Sequence, residues 1–273
     1  MCQMCGCSLP AAENHSATSH PPHDDGHEQL TVLTNLLARN DEAAAHNRAH
    51  LDMHGVLAIN FMSSPGAGKT SLLEATIRRL RTQYRISVVE GDLATENDAQ
   101  RIRAQGVPAI QITTGNACHL DASMLHGALH DIRLADVDLL FIENVGNLVC
   151  PASFDLGQHR NVVLLSVPEG DDKPEKYPVM FRAAELVLIT KSELLEHIPE
   201  FDVQRARGSL QKIASAVPVL ELSARREIGM DAWIDWLHAE KRANDRRFAA
   251  REQVIHEHAH ALGVAAEART GAD

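Results

Sequence analysis

One run of residues constrains the fold more than any other. The apolar stretch 56–62, VLAINFM, leads straight into Ser63-Ser64-Pro65-Gly66-Ala67-Gly68-Lys69-Thr70-Ser71 and then into the helical LLEATIRRL. A buried strand, a glycine-rich turn and a helix in that order make a P-loop, in which glycines let backbone N–H groups close round phosphate oxygens. The helix N-terminus adds a dipole that favours an anion. In this frame Gly66, Ala67, Gly68 and Ser71 line the phosphate cradle, Lys69 reaches the β and γ phosphates, and Thr70 offers its hydroxyl to Mg²⁺. Ser63 stands where the motif ordinarily opens with glycine.

The P-loop strand is the first of seven short apolar runs. The others are 86–91, 108–113, 138–144, 161–167, 185–190 and 218–223, with helical stretches at 69–82, about 96–105, 119–131, 174–184 and 202–215 and a last helix from near Met230. Apolar runs alternating with helices predict an α/β fold of the P-loop NTPase type, a mainly parallel seven-stranded sheet with helices on both faces. Four segments follow: a flexible metal-binding stretch over 1–27, a helical lead-in over 28–54, the P-loop domain over 55–240, and a helical tail fraying into disorder over 241–273.

Composition narrows the partners. A formal charge of −11 and no basic stripe argue against a nucleic-acid footprint, and aromatics at 4% leave little for base stacking. No run approaches the ~20 apolar residues that span a bilayer, and the opening MCQMCGCSLP has no apolar signal core. The expectation is a cytoplasmic chain with no membrane partner.

A phosphate site that hydrolyses its nucleotide needs acidic groups near the metal and a sensor of the γ-phosphate. Asp92 falls just past the second strand, on the carboxyl edge where such sheets bind ligands. Phe141-Ile142-Glu143-Asn144-Val145-Gly146 has the form of a second switch, with Glu143 in the acidic position and Gly146 as the contact to γ-phosphate. Lys69, Thr70, Asp92 and Glu143 are therefore the candidate catalytic set. Thr190-Lys191-Ser192-Glu193 occupies the place of the Asn-Lys-x-Asp guanine motif, with Glu193 one methylene longer than the usual carboxylate, and Ser223-Ala224-Arg225 resembles the second guanine loop. Together they favour GTP over ATP.

Five cysteines and sixteen histidines point to metal. An odd cysteine count in a reducing compartment argues against a disulfide framework. Cys2, Cys5 and Cys7 begin at the second residue, so thiolates and the terminal amine can surround one ion; this donor set suits square-planar Ni²⁺, with Zn²⁺ or redox chemistry as competing readings. Cys118-His119 follows the third strand and Cys150 lies just beyond the second switch, so all three belong at the carboxyl edge. A lone buried cysteine is ordinarily inert packing. Placement of both beside switch elements favours a Cys/His/Cys metal site shared across a dimer or held within one chain. His15, His20, His23 and His27, and His256, His258 and His260, read equally as weak nickel buffers or solvated polar tails.

Five passages resemble the HypB family of hydrogenase nickel-incorporation proteins: MCQMCGC, NFMSSPGAGKTSLLE, TTGNACHLDA, FIENVGNLVCPASFDLG and VPEGDDKPEKYPVMF. The resemblance implies a GTP-hydrolysing nickel metallochaperone serving a [NiFe]-hydrogenase precursor. It implies a high-affinity nickel site at Cys2, Cys5 and Cys7, a second metal site at Cys118, His119 and Cys150 holding nickel or zinc, and hydrolysis linked to homodimerisation. Its implied partners are a HypA-type metallochaperone, the hydrogenase large-subunit precursor and, in some bacteria, a nickel-storing prolyl isomerase. A urease-type or zinc-handling P-loop GTPase is the alternative, which would leave the N-terminal cysteines without an account.

Overall fold

A computed structural model describes residues 25–115 and 117–270. Cys2, Cys5, Cys7, His15, His20 and His23 lie outside the described residues. Among the described residues the α-helices and strands run in the order α1 (Asp25–Met53), β1 (Leu57–Ser63), α2 (Lys69–Leu80), β2 (Ile86–Asp92), α3 (Asn97–Arg103), β3 (Ala109–Thr113), α4 (Ala122–His130), β4 (Leu139–Glu143), β5 (Arg160–Ser166), α5 (Lys173–Lys176), α6 (Pro178–Arg182), β6 (Leu186–Thr190), α7 (Val203–Ile213), β7 (Val219–Glu221) and α8 (Met230–Thr270). The seven strands pair in parallel in the order β3-β2-β4-β1-β5-β6-β7.

Every residue of β1, β4 and β6 is buried, because helices cover both faces of the sheet. Alternate side chains divide the core. Ile59, Phe61, Leu139 and Phe141 pack with Leu73 and Ile77 of α2 and Trp233 of α8. Ala58, Leu140 and Ile142 point the other way, onto Leu51 of α1 and Leu125 of α4. On the β5–β6 side a third cluster joins Val163 and Val187 to Phe181 of α6 and Leu210 of α7. Because β4 inserts between β2 and β1, the carboxyl ends of these three strands open side by side at the point where the chain reverses its direction of winding. Ligands of open parallel sheets bind at such a point.

Two expectations change, and the helical lead-in becomes definite. The stretch 174–184 is not one helix: Tyr177 breaks it at φ −127 and ψ 55, because the ring of Pro178 disfavours helical backbone in the residue before it. The lead-in is a single helix, Asp25–Met53. It is held to the β4–β5 loop by Asn40 Nδ2 donating to the Asp155 carbonyl, Asn47 Nδ2 to the Leu156 carbonyl and the Arg48 guanidinium to that of Gly157. The helix from Met230 continues through position 240, and its residues just beyond are packed: Asn244 is buried and donates to the Gly55 carbonyl.

Buried His159 joins α1 to the sheet. Its Nδ1 accepts from the Ala58 N–H at 3.0 Å and its Nε2 lies 2.9 Å from Asp52 Oδ1. An acceptor at Nδ1 requires the neutral ring. Burial pushes this imidazole down to about 4, against the opposing pull of Asp52. A depressed histidine contributes stability that is complete above its unfolded value of about 6.5 and is lost as pH falls towards 4. That loss should be on the order of 3 kcal/mol. Denaturant titrations of wild type and His159→Gln at pH 7 and pH 4.5 check it: the gap between the two proteins should shrink or reverse at the lower pH, and parallel profiles would refute the assignment.

Candidate functional site: a phosphate cradle joined to a Cys/His/Cys cluster

The cradle forms as β1 ends. Gly66 and Gly68 both take positive φ, 75° and 100°, which non-glycine residues adopt only with strain. Gly68 caps α2 without any side-chain hydrogen bond, leaving the first N–H groups of the helix directed outward. Thr190 Oγ1 donates to the Ala67 carbonyl at 2.7 Å and fixes the loop to β6. Lys69 is buried and donates from Nζ to Ser63 Oγ at 3.0 Å. The serine that replaces the first motif glycine is thus the resting partner of the lysine. Burial holds the Lys69 ammonium below its ordinary range.

Acids gather beside it. Thr70 Oγ1 donates to Glu143 Oε1 at 2.8 Å, and Glu143 sits in register with Glu90 across β4 and β2. Burial pushes Glu143 up to about 7, with Lys69 and Thr70 opposing. Burial, then the charges of Glu143, Asp92 and Asp98, push Glu90 up to about 8. Glu90 Oε2 and Glu143 Oε2 are buried without a hydrogen-bond donor among the described residues. Such hard oxygen donors, with the Thr70 hydroxyl, fit Mg²⁺. Asp92 accepts from the Ala94 N–H and Thr95 Oγ1 in the turn after β2, and its carboxylate lies within 4.8 Å of those of Glu90 and Asp98. A cavity of about 460 Å³ connects the cradle, these acids, Gly146 and Lys191.

The segments expected to bind the base follow β6 and β7. Lys191 adopts left-handed backbone at φ 57, Ser192 N–H donates to the Leu222 carbonyl, and Glu193 Oε2 is buried without a donor among the described residues. Ser223 Oγ accepts from the Arg226 N–H and shapes the turn that carries Ala224. An orphaned carboxylate oxygen at Glu193 is what the N1–H and amino group of guanine would satisfy.

Cys118, His119 and Cys150 come together on the neighbouring loops. The two sulfurs are 3.3 Å apart, Cys118 Sγ is 3.8 Å from His119 Nδ1, and one donor atom from each residue lies within 4.8 Å of the others. Cys150 and His119 are buried, and burial lowers the His119 pKa, which favours the neutral ring that a metal requires.

Two asparagines connect this cluster to the cradle, and neither was singled out in the sequence. Asn147 N–H donates to the Ser63 carbonyl at 2.8 Å, while its side chain donates to the Cys118 carbonyl and accepts from the Val149 N–H. Asn144 Oδ1 accepts from the Leu120 N–H, next to His119. Between them, a Cβ on Gly146 would fall 2.7 Å from Pro65 Cα, so the switch backbone lies directly against the P-loop. Arg101 was missed as well: it bridges Glu74, Asp98 and Ser71 Oγ at the cavity rim. The flanking pattern Asn-x-Gly-Asn was the one available signal.

The CobW/HypB/UreG nucleotide-binding domain model matches residues 57–221. The hydrogenase maturation factor HypB of Azotobacter vinelandii is 46% identical over 248 residues, covering 90% of this chain and 80% of that protein. The chain belongs to the HypB family. Its fold is that of the HypB proteins: the crystal structure of HypB from Helicobacter pylori in complex with nickel superposes with a TM-score of 0.72 at 44% identity, covering 76% of this chain and 96% of that one. HypB from Archaeoglobus fulgidus superposes with a TM-score of 0.70 at 40% identity, covering 75% and 99%. Among the described residues of this HypB-family chain, no helix is long and apolar enough to cross a membrane.

Proposed function

We propose that this chain is a GTP-hydrolysing nickel metallochaperone for [NiFe]-hydrogenase assembly, in which nucleotide state sets the hold on nickel at Cys118, His119 and Cys150. The observation that carries the reading is Asn147, hydrogen-bonded at once to the P-loop carbonyl of Ser63 and to the carbonyl of Cys118. The N–H groups from Gly66 to Ser71 bind the phosphates, and Lys69 leaves Ser63 to meet the β and γ oxygens. Thr70, Glu143 and Asp92 would hold Mg²⁺, which supplies charge neutralisation across the phosphates. Glu193 and Lys191, with Ser223 and Ala224, select guanine. Gly146 approaches the γ-phosphate and, through Asn147, pulls on the loop that carries Cys150. Soft sulfur and imidazole donors suit nickel, the cargo, and equally zinc.

Cys2, Cys5 and Cys7 form the tighter entry site in this reading. The cytoplasm is the place of action, a two-fold dimer is the GTP-bound form, and the partners are a HypA-type metallochaperone, the hydrogenase large-subunit precursor and a nickel-storing prolyl isomerase. The H. pylori relative, 42% identical over 80% of this chain and 90% of that protein, is a hydrogenase/urease maturation factor, which keeps urease as a second client class.

The test is nickel affinity by chelator competition with GDP and with a non-hydrolysable GTP analogue. Coupling of the usual size predicts about a 5–150-fold difference between the two states. Asn147→Ala should bind both ligands yet bring that ratio close to unity. Equal affinities in wild type, or undiminished coupling in the variant, would overturn the proposal.

A further inference from the structure

α1 and α4 lie side by side over the core that contains Leu51 and Leu125, and their outer edges carry four histidines. His46 and His50 are one turn apart on α1, as are His126 and His130 on α4. Residues four apart on a helix share a face. The ring centroids of His46 and His50 are 4.4 Å apart, those of His46 and His126 4.9 Å, those of His50 and His126 6.0 Å, and those of His126 and His130 4.6 Å. One nitrogen from each of His46, His50 and His126 lies within 4.8 Å of the others.

The rings are set by a buried residue. Asn47 Nδ2 donates to the carbonyls of Ala122 and Leu156, so its Oδ1 is the atom that faces His126 Nδ1, 3.0 Å away. An amide oxygen only accepts, which puts the His126 proton on Nδ1 and makes Nε2 the unprotonated, lone-pair nitrogen. An outer hydrogen bond of this kind fixes tautomer and ring orientation in histidine metal sites. His126 Nε2 is 3.1 Å from His130 Nε2. Two imidazole nitrogens bound to one ion at ~2.0–2.1 Å stand roughly 2.9–3.4 Å apart.

We propose that His46, His50 and His126, with His130 beside them, bind a divalent ion of the nickel, copper and zinc class at the α1–α4 seam. All-imidazole donors suit those ions and not Mg²⁺ or Ca²⁺, which take oxygen. His50 and His126 are half-buried while His46 and His130 are exposed, so the ion has an open route from solvent. Desolvation, then the neighbouring imidazoles, hold His50 and His126 below the ordinary histidine range. α1 follows the N-terminal cysteine segment in the chain, and α4 begins at Ala122, three residues after His119.

The test uses the full chain and counts bound Ni²⁺ and Zn²⁺ by equilibrium dialysis. His46→Gln/His50→Gln should bind one ion fewer than wild type, His126→Gln/His130→Gln should lose the same ion, and the quadruple variant should lose no more than either pair. Helical circular dichroism checks that each variant is folded; the α1 pair is exposed enough to be decisive alone. Unchanged stoichiometry in the α1 pair, additive losses in the quadruple variant, or saturation of the same histidine resonances by Mg²⁺ would each overturn the proposal.

Discussion

Lys69→Ala should lower GTP turnover by about 10²–10³-fold, the cost typical of removing one preorganised donor from a transition state. In the resting protein the ammonium is buried and its hydrogen-bond partner is a neutral hydroxyl, Ser63 Oγ. A buried cation with no carboxylate in direct contact is costly to fold around. It is therefore a poor stabilising device and a well-placed ligand for phosphate. Removing it acts twice. The β and γ oxygens lose their cation, and Glu143, whose carboxylate Lys69 helps to keep ionised, rises further above about 7. At neutral pH the variant would then carry a protonated Glu143 beside Thr70, weakening the seat for Mg²⁺ as well. Because a buried charge leaves with the side chain, the variant should melt no lower than wild type without nucleotide. Single-turnover GTP hydrolysis and a thermal melt separate the effects: unchanged turnover would remove Lys69 from the mechanism, and a collapsed melting profile would make its role structural.

Legibility in the sequence followed burial. Strands enclosed on both faces are predominantly apolar, so β1, β2 and β6 begin within a residue of where apolar runs predict them. The P-loop was equally plain, since glycine at positive φ before a helix has few other uses. Helix boundaries were less so. The Tyr177 break depends on one proline, and the single long α1 on packing against the β4–β5 loop that no local pattern announces. The connecting residues were hidden for a different reason. Asn47, Asn144 and Asn147 act through backbone carbonyls and N–H groups distant in sequence, and a carbonyl carries no residue signature. The four histidines read as isolated residues until α1 and α4 are side by side. Cys118 and Cys150 were found because the carboxyl edge collects loops in known order.

Cys150→Ser should weaken nickel binding at the inner site by more than about 100-fold, beyond the range that outer-shell changes cost. The substitution keeps the shape and replaces a soft sulfur with a hard hydroxyl that does not ionise at neutral pH. Cys150 is buried in a short turn with Pro151 next to it, so the backbone holds the donor towards Cys118 whatever the side chain is. The measurement belongs in a full chain with Cys2, Cys5 and Cys7 changed to serine, so that the N-terminal thiolates do not mask the loss. There the parent affinity should rise with pH, since two thiols release protons on binding, and the pH slope should fall when Cys150 becomes serine. Nucleotide should still bind, because Cys150 is not among the residues that line the cavity at the cradle, but the metal should no longer report on nucleotide state. Unaltered affinity would return Cys150 to inert packing, and the hydrogen bonds of Asn147 would then join the P-loop to a loop with no cargo to release.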